Sequence, residues 1–421
     1  MMDFYRQIDL RYGMIITYPG GIKLPPRSEQ VKTELTLHEA GTVYLLLSGA
    51  EETYALSVGE GENVLAGARV ATLGDETPVY ASVAGKVIGV FEREGMHYVA
   101  IEQDTELSTE VRTVREPESK KLAEMTGEEL LDAVRLLGVW DTWSGDYLWR
   151  RASRSMQTTR RIVIDTTDDS AWSCTGYRTA LKHPGDVLSG AKILLHMLGA
   201  SRIVLLVDAE RKKLFDAFDV LINDPKLTVI AQFDVKYPMC DQTIYQSVYV
   251  RHLPKDHTAQ DEGVFIVRAQ TAVRLYQSIL SGKPQTMHTL TAAGEGFGKN
   301  VLMHVPIGTT WDKILKCVQF KGGSYVTRVG SLLGTETAVG VPDGKTEAVF
   351  ADVPCEREEM HCIACGRCAE VCPMRLEPYR ILRTKNIKTA QILRNNCIGC
   401  GCCNYICPAN IALKERILSM Q

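Results

Sequence analysis

The sequence predicts a multidomain α/β protein that ends in an α-helical domain with two iron–sulfur clusters. Its 421 residues suffice for roughly two to four domains, each with its own core. In the middle of the chain, short apolar runs alternate with amphipathic segments, as in α/β folds. Near the C-terminus the motif C-x2-C-x2-C-x3-C-P occurs twice, as "CIACGRCAEVCP" from Cys362 and "CIGCGCCNYICP" from Cys397.

The composition is that of an ordinary globular protein. Hydrophobic residues make up 45% and charged residues 24%, and the net charge of -3 gives no indication of a nucleic-acid partner. The stretch "MMDFYRQIDL" lacks the apolar core of a signal peptide, and no apolar run approaches the roughly 18 residues that cross a bilayer. We therefore expect a cytoplasmic protein without a membrane span.

The first predicted domain covers residues 1–118. Between residues 61 and 102, short apolar runs alternate with glycines, which is typical of strands joined by tight turns. This pattern predicts a β barrel-sandwich hybrid of the lipoyl or biotinyl type.

A Rossmann-like α/β domain is predicted over residues 119–284. The runs "RRIVIDTTDD" and "SRIVLLVD" are apolar and end in acidic residues, as buried parallel strands do. Between them, "HPGDVLSGAKILLHMLG" has apolar residues at helical spacing and a glycine stop at Gly199. The alternation continues through "KLTVIAQFDVKYP" and "VFIVRAQTAVRLYQSILSGK".

The third and fourth domains follow at 285–350 and 351–421. The stretch "HTLTAAGEGFGKNVLMHVPIGTTWDKILK" has the strand, turn, strand and helix order of a small β-grasp module. Between the two cysteine motifs, "MRLEPYRILRTKNIKTAQILRN" has apolar residues at near-helical spacing. We therefore predict a helical dicluster domain rather than a compact βαβ ferredoxin.

The cysteines are concentrated where the motifs lie. Nine of the 13 fall between Cys362 and Cys407, which indicates a metal site rather than a disulfide framework. The repeated spacing is that of bacterial [4Fe-4S] proteins, in which the first three thiolates hold one cluster and the fourth serves the other. A zinc ribbon is the alternative, but zinc needs four ligands and each motif has a third cysteine in register.

This register assigns the ligands of both clusters. Cluster 1 is predicted to take Cys362, Cys365, Cys368 and Cys407, and cluster 2 to take Cys397, Cys400, Cys403 and Cys372. Cys402 is a rival ligand because it is adjacent to Cys403, but only Cys403 keeps the register.

The order of these segments resembles the RnfC family of electron-transfer subunits. The resemblance rests on "GGIKLPP", "VDAERKKLFDAF", "KYP", "TAVRLYQSILSGKP" and both cysteine motifs, in the family's order over nearly the whole chain. It implies that the Rossmann-like domain is similar to the flavin- and NADH-binding subunit of respiratory complex I. It also implies that the β-grasp module is SLBB-like.

The sequence departs from this family at the flavin loop. Family members with flavin carry "GGAGFP", whose bare backbone lets a phosphate approach amide N–H groups. Here the stretch is "GVWDTWSGDYLWR" from Gly138, with Trp140, Asp141 and Trp143 where glycines are expected. Indole rings fill space, and a carboxylate repels a phosphate.

Three further cofactor loops differ in the same way. The family's "NGAECEP" is replaced by "DTTDDSA" from Asp165, "GGE" by "MCD" at Met239, and "NVGT" by "RAQT" at Arg268. We therefore expect FMN and NADH binding to be lost or much weakened.

Two isolated cysteines are candidate redox thiols. Cys240, in "KYPMCDQ", lies where the family loop faces the flavin, and Cys174 lies in "AWSCTGY". The alternative is that both are small buried hydrophobic residues.

These observations predict an iron–sulfur electron-transfer protein that works with a partner redox protein or reductase complex. The loop departures favour likeness to the protein associated with D-proline reductase (PrdC-like), with a flavoprotein as electron donor. The alternative is an FMN-containing NADH dehydrogenase subunit of the RnfC or cobalamin-reductase type. A third hypothesis is a structural subunit whose clusters only hold the C-terminal fold together.

Overall fold

The fold is known from a computed structural model that describes residues 15–48, 53–115, 122–249, 257–330, 333, 337–354, 358–382 and 387–419. The first part is rich in strands. They are β1 (Ile15–Ile16), β2 (Thr33–Thr36), β3 (Thr42–Ser48), β4 (Tyr54–Leu56), β5 (Asn63–Val64), β6 (Arg69–Leu73), β7 (Pro78–Tyr80), β8 (Gly85–Arg93) and β9 (Met96–Gln103), with a 3-10 turn at Ser28–Gln30.

Seven of these strands form two facing sheets. One sheet has the order β3-β9-β8-β5 and the other β4-β6-β7, and all of their pairings are antiparallel. Val43, Val70, Val99 and Ile101 belong to the apolar core of this unit. The result is a β-sandwich, as the glycine-separated strands predict.

The central domain is built around a parallel sheet. Its elements are α1 (Gly127–Leu136), β10 (Trp140–Asp141), β11 (Asp146–Tyr147), α2 (Leu148–Ser153), β12 (Arg161–Asp165), α3 (Thr175–Lys182), α4 (Pro184–Leu198), β13 (Arg202–Asp208), α5 (Lys212–Asp219), β14 (Thr228–Phe233), α6 (Gln242–Tyr249), β15 (Val264–Arg268) and α7 (Ala269–Ser281), after a 3-10 turn at Leu122–Glu124. The sheet order is β1-β14-β13-β12-β15. The chain order reverses between β12 and β15, and ligands of open α/β sheets bind at the carboxyl ends of the strands at such a switch point.

The third unit has the β-grasp arrangement that the sequence predicts. It contains β16 (Met287–Ala293), β17 (Val301–Pro306), α8 (Trp311–Cys317), β18 (Val326–Val329) and β19 (Ala348–Asp352). The sheet order is β18-β19-β16-β17-β2, with β19 parallel to β16. Trp311 and Ile314 of α8 pack in the same core as Leu290 and Met303 of the sheet.

Two strands of the N-terminal region lie outside the sandwich. Ile15 in β1 pairs with Gln232 in the central sheet, and Thr33 in β2 pairs with Val301 in the grasp sheet. The segment that precedes the sandwich therefore ties the two following units together.

The C-terminal unit is helical in its described residues. It contains α9 (Arg367–Glu370), α10 (Ile387–Asn396), α11 (Cys402–Ile406) and α12 (Leu413–Leu418), with a 3-10 turn at Pro378–Leu382. No strand is assigned within residues 358–382 or within residues 387–419, which confirms the helical form of the dicluster domain. Of the helices in the described ranges, none has the length and apolar character needed to cross a bilayer.

The "GGIKLPP" segment joins the N-terminal region to the C-terminal unit. The N–H of Gly21 donates to the carbonyl of Val371 at 2.9 Å. Gly20 has φ of +68°, and a Cβ atom there would lie 2.6 Å from the carbonyl oxygen of Cys372. Gly20 is therefore required both for its backbone conformation and for this close approach.

The "KYP" segment makes the second connection. The backbones of Ile22 and Tyr237 exchange two hydrogen bonds of 2.8 Å. The Tyr237 hydroxyl donates to the carbonyl of Cys400 at 2.8 Å. The first segment thus contacts the end of the first cysteine motif, and the second segment contacts the second motif.

We expect Gly20→Ala to destabilise the docking of the C-terminal unit, with Gly41→Ala as the matched control. Both glycines have positive φ, but a Cβ at Gly41 meets nothing within 4 Å. Gly41→Ala is expected to cost about 1–2 kcal/mol for the left-handed backbone, and Gly20→Ala about 1–3 kcal/mol more for the steric clash. Urea unfolding of the two anaerobically purified variants measures the difference. Equal midpoints would contradict the role of the Gly20 contact.

Candidate metal centre

The two cysteine motifs fold into loops of the same shape. The sulfur of Cys362 accepts a hydrogen bond from the N–H of Ala364, and the sulfur of Cys397 accepts one from Gly399, both at 3.4 Å. Each loop has two residues with positive φ: Ala364 (57°), Gly366 (79°), Gly399 (68°) and Gly401 (79°). A short helix follows each loop, so the sequence repeat is also a repeat in structure.

The first cavity brings together the four thiols predicted for cluster 1. Cys362, Cys365, Cys368 and Cys407 line it. The rest of its wall is largely apolar, and includes Leu382, Ile411 and Leu413. The fourth cysteine of this group comes from the second motif.

The second cavity has the reciprocal composition. The cysteines that line it are Cys372, Cys397, Cys400, Cys402 and Cys403. Cys372 comes from the first motif, so the two motifs exchange their last cysteines as the register predicts.

The arrangement fits a multi-iron cluster in each cavity. Each cavity is lined by four cysteines that stand in the register of a dicluster motif. A single zinc would draw four sulfurs to about 2.3 Å from one point, whereas each cysteine of a [4Fe-4S] cluster binds a different iron, which keeps the sulfurs further apart. Burial raises the pKa of Cys403 to about 12, so iron must displace a proton from this thiol.

Cys402 lines the same cavity as its neighbour Cys403, but its thiol also has partners in the surrounding packing. It is fully buried, and its thiol donates to the carbonyl of Tyr237 at 3.8 Å. Its hydrogen bond to the thiol of Cys400 holds the pKa of Cys400 at about 7. These contacts give Cys402 a place in the packing between the C-terminal unit and the central domain, and favour Cys403 as the ligand.

The second cavity lies against the core of the central domain. Met374 and Ile398 line the cavity and also pack against the apolar cluster that contains Tyr18, Trp143 and Tyr245. The second motif is therefore next to the loop at which flavin-binding relatives are expected to hold their cofactor.

The carboxyl ends of β12 and β15 are joined by a buried ion-pair network. Arg268, at the end of β15, forms salt bridges with Asp165, at the end of β12, and with Glu347 of the grasp unit. The Arg268 Nε donates to Glu347 at 2.9 Å, and the amide of Gln270 donates to the same carboxylate. The switch point of the sheet is therefore filled by protein side chains.

The loop that contains Trp140, Asp141 and Trp143, called the tryptophan loop below, is packed into the protein. The Asp141 carboxylate is fully buried and pairs with Arg151 at 2.7 Å, and it also accepts from the N–H of Trp143. The Trp143 ring packs edge-on against Tyr245 at 5.1 Å between centroids. The expectation that Asp141 repels a phosphate is wrong in its mechanism, because Arg151 neutralises this charge.

Gly138 and Trp140 complete this loop. Gly138 has φ of +60° and follows the end of α1. Trp140 packs edge-on against Tyr147 at 4.9 Å across the β10–β11 hairpin. These residues do not fit a loop that cradles a phosphate on bare backbone, since hydrophobic packing and the Asp141–Arg151 pair occupy its interior.

The two isolated cysteines lie in surroundings that disfavour a thiolate. Burial raises the pKa of Cys174 to about 12, and its sulfur lies 3.6 Å from the Thr291 hydroxyl. Burial also raises the pKa of Cys240 well above its usual value, although Arg268 lies 3.5 Å from its sulfur. Reactive thiols need the opposite shift.

The sequence does not predict which side chains form ion pairs with Arg268 and Asp141. The Arg268–Glu347 pair joins positions 79 residues apart, and the Asp141–Arg151 pair joins a hairpin to a helix. The one signal in the sequence is that charged residues stand at strand ends where the resembling family has glycine or asparagine.

We expect Cys365→Ser to remove one cluster and Cys402→Ser to leave the iron content unchanged. The protein should hold about eight irons per chain, and the Cys365 variant about four. The control is Cys403→Ser, which should behave like the Cys365 variant. Iron and sulfide analysis of anaerobically purified protein is the measurement. Loss of a cluster in the Cys402 variant, with none lost in the Cys403 variant, would contradict the register.

Two known domain families match this chain. The Nuo51 FMN-binding domain matches residues 148–277, and the 4Fe-4S dicluster domain matches residues 361–411. The second match contains all eight predicted ligands and supports iron–sulfur clusters. The first match runs against the expectation of lost FMN binding, although it begins after the loop that contains Trp140, Asp141 and Trp143.

Relatives match most of the chain. The C subunit of the ion-translocating oxidoreductase complex of Edwardsiella ictaluri is 23% identical over 392 residues, which cover 88% of this chain and 49% of that protein. The C subunit of the Na(+)-translocating ferredoxin:NAD(+) oxidoreductase complex of Acetobacterium woodii is 25% identical over 395 residues, 87% of this chain and 86% of that protein. This chain thus spans about half the length of the Edwardsiella relative.

A solved structure, the NAD+-reducing [NiFe]-hydrogenase in the H2-reduced state, has a TM-score of 0.45 and 12% identity, covering 65% of this chain and 55% of that chain. This likeness is too weak to add to the argument. The sequence matches do support the argument, because the FMN-binding match and the dicluster match occur in the same order along the chain as the central domain and the C-terminal unit. This chain is therefore similar over most of its length to C subunits of ion-translocating oxidoreductase complexes, and it matches the Nuo51 FMN-binding domain in its centre and the 4Fe-4S dicluster domain near its C-terminus.

Proposed function

We propose that the chain is an iron–sulfur electron-transfer subunit that relays single electrons to or from a partner oxidoreductase. The observation that carries the proposal is the pair of cavities, each of which is lined by the first cysteines of one motif together with the last cysteine of the other. The proposed ligands are Cys362, Cys365, Cys368 and Cys407 for cluster 1, and Cys397, Cys400, Cys403 and Cys372 for cluster 2. Each cluster, when bound, supplies a one-electron redox centre.

The protein's own groups hold and tune these centres. Backbone N–H groups donate to three of the sulfurs: Ala364 to Cys362, Gly399 to Cys397 and Leu376 to Cys372. Such hydrogen bonds stabilise negative charge on sulfur and raise the reduction potential. The apolar cavity walls exclude water and lower the local dielectric constant.

The two cavities differ in their access to a partner. Cys365 is exposed, as is its neighbour Ile363, so the first cavity has an open side. The second cavity has walls that pack on the central domain. A partner redox protein therefore reaches this chain at the Cys365 side.

We propose that the partner oxidoreductase of this chain is part of a redox complex. The relatives are named as C subunits of oxidoreductase complexes, and this chain is proposed to be a subunit of a comparable assembly. Within that class we favour a proline-reductase-type (PrdC-like) system fed by a donor flavoprotein, because four cofactor loops depart from the flavin-binding pattern. The proposed domains are residues 1–118, 119–284, 285–350 and 351–421, in a cytoplasmic protein.

We propose that this chain binds FMN weakly or not at all. The support is the filled switch point at Arg268 and the buried loop around Asp141. A flavin phosphate at that edge would have to displace a buried guanidinium from two carboxylates, which costs about 3–5 kcal/mol.

The second candidate function is an FMN-containing NADH dehydrogenase subunit. It is favoured by the match of residues 148–277 to an FMN-binding domain. A cavity of about 180 Å³ beside the loop is lined by Trp143, Ser144 and Gln242 and offers space for part of a ligand in an altered position.

Flavin analysis and reduction assays distinguish the two functions. The anaerobically purified protein is expected to contain iron and sulfide with much less than one FMN per chain. Dithionite should bleach the visible absorption of the clusters, whereas NADH should do so only when a flavoprotein reductase is added. Stoichiometric FMN together with direct bleaching by NADH would overturn the relay proposal. Clusters that dithionite cannot reduce would indicate a structural role.

A further inference from the structure

A wide groove separates the Rossmann-like domain from the grasp sheet. Helices α3 and α7 form one wall, and strands β2, β16 and β17 form the other. Its volume is about 1270 Å³, including the open mouth. It shares no lining residue with either cysteine cavity, so it is separate from the proposed metal centre.

A chain of hydrogen bonds crosses this groove. Arg274 donates to the Thr289 hydroxyl at 2.8 Å, and that hydroxyl lies 2.9 Å from Nδ1 of His304. Nε2 of His304 lies 2.6 Å from Glu34, whose carboxylate also binds Lys182 at 2.8 Å. Burial lowers the pKa of His304.

The groove has an excess of positive charge. Its lining contains three permanent cations, Arg178, Lys182 and Arg274, and one carboxylate, Glu34, which leaves 3 − 1 = 2 positive charges. Across the described ranges, Arg178 and Arg274 have no carboxylate partner, since Arg178 donates to the carbonyl of Val31 and Arg274 to Thr289. Burial lowers the pKa of Arg274 to about 10, so it is still charged at neutral pH.

Two uncompensated guanidinium groups in a partly enclosed space are costly unless an anion accompanies them. The side chains around them are already organised: Thr289 fixes Arg274, and Glu34 fixes Lys182. Arg274 uses one of its five N–H donors in these contacts, which leaves others for a ligand.

We propose that this groove binds a phosphorylated small molecule, with Arg178 and Arg274 as the groups that recognise its phosphate. A phosphate monoester carries a charge of about −1.5 to −2 at pH 7, which matches the excess charge of the groove. A guanidinium binds two phosphate oxygens at once through its planar fork. The space is that of a small-molecule site rather than a single-ion site.

Isothermal titration of the full-length, cluster-loaded protein tests this site. The probe is phenyl phosphate, and phenyl sulfate is its analogue of similar shape with one negative charge. Saturable binding of phenyl phosphate is expected at constant ionic strength, with phenyl sulfate bound several-fold more weakly because it neutralises half of the excess charge.

Matched variants locate the binding. Arg274→Gln should weaken phenyl phosphate binding at least about tenfold. Lys192→Gln, which removes an exposed charge of α4 outside the groove lining, should leave it unchanged. Arg178→Gln is the second test if Arg274→Gln lowers the iron content or the unfolding temperature. No saturable binding, equal binding of the sulfate, or binding unaffected by both arginine variants would overturn the proposal.

Discussion

Each of the two cysteine cavities contains cysteines from both motifs. Cys372 of the first motif lies in the cavity of the second, and Cys407 of the second lies in the cavity of the first. The two loops must therefore fold together, and the surrounding structure is arranged to hold them. Gly20 and Gly21 pack against the backbone at Val371 and Cys372.

The same interface connects the metal centre to the central domain. Tyr237 bonds to Cys400, and Met374 and Ile398 pack against the cluster of Trp143 and Tyr245. This places the second cavity beside the edge of the sheet at which ligands of open α/β sheets bind. Here Arg268 links Asp165 to Glu347 at that edge, so an ion-pair network connects the central domain to the grasp unit. A buried ion pair of this kind costs much to break, whatever its net contribution to stability.

The sequence predicts the parts of this fold that depend on spacing within a short segment. It does not predict the parts that depend on pairing with residues far away along the chain. The cysteine register, the helical dicluster domain and the strand–helix alternation all follow from spacing within short segments. The placement of Ile15 in the central sheet and of Thr33 in the grasp sheet depends on pairing with residues more than 200 positions away, which no local pattern encodes. Asp141 shows the same limit: its charge is evident in the sequence, but its partner Arg151 lies on a helix that the loop only meets in the folded chain.

The exchange of Cys372 and Cys407 is the central claim, and electron paramagnetic resonance of the dithionite-reduced protein tests it most directly. Clusters that share their ligand motifs lie close together, so their electron spins interact. The expected spectrum integrates to about two spins per chain and shows the broadened, complex features of two coupled [4Fe-4S] centres, which collapse to one simple signal when only one cluster is reduced. Two independent, uncoupled signals in the fully reduced protein, or a single cluster per chain, would contradict the account.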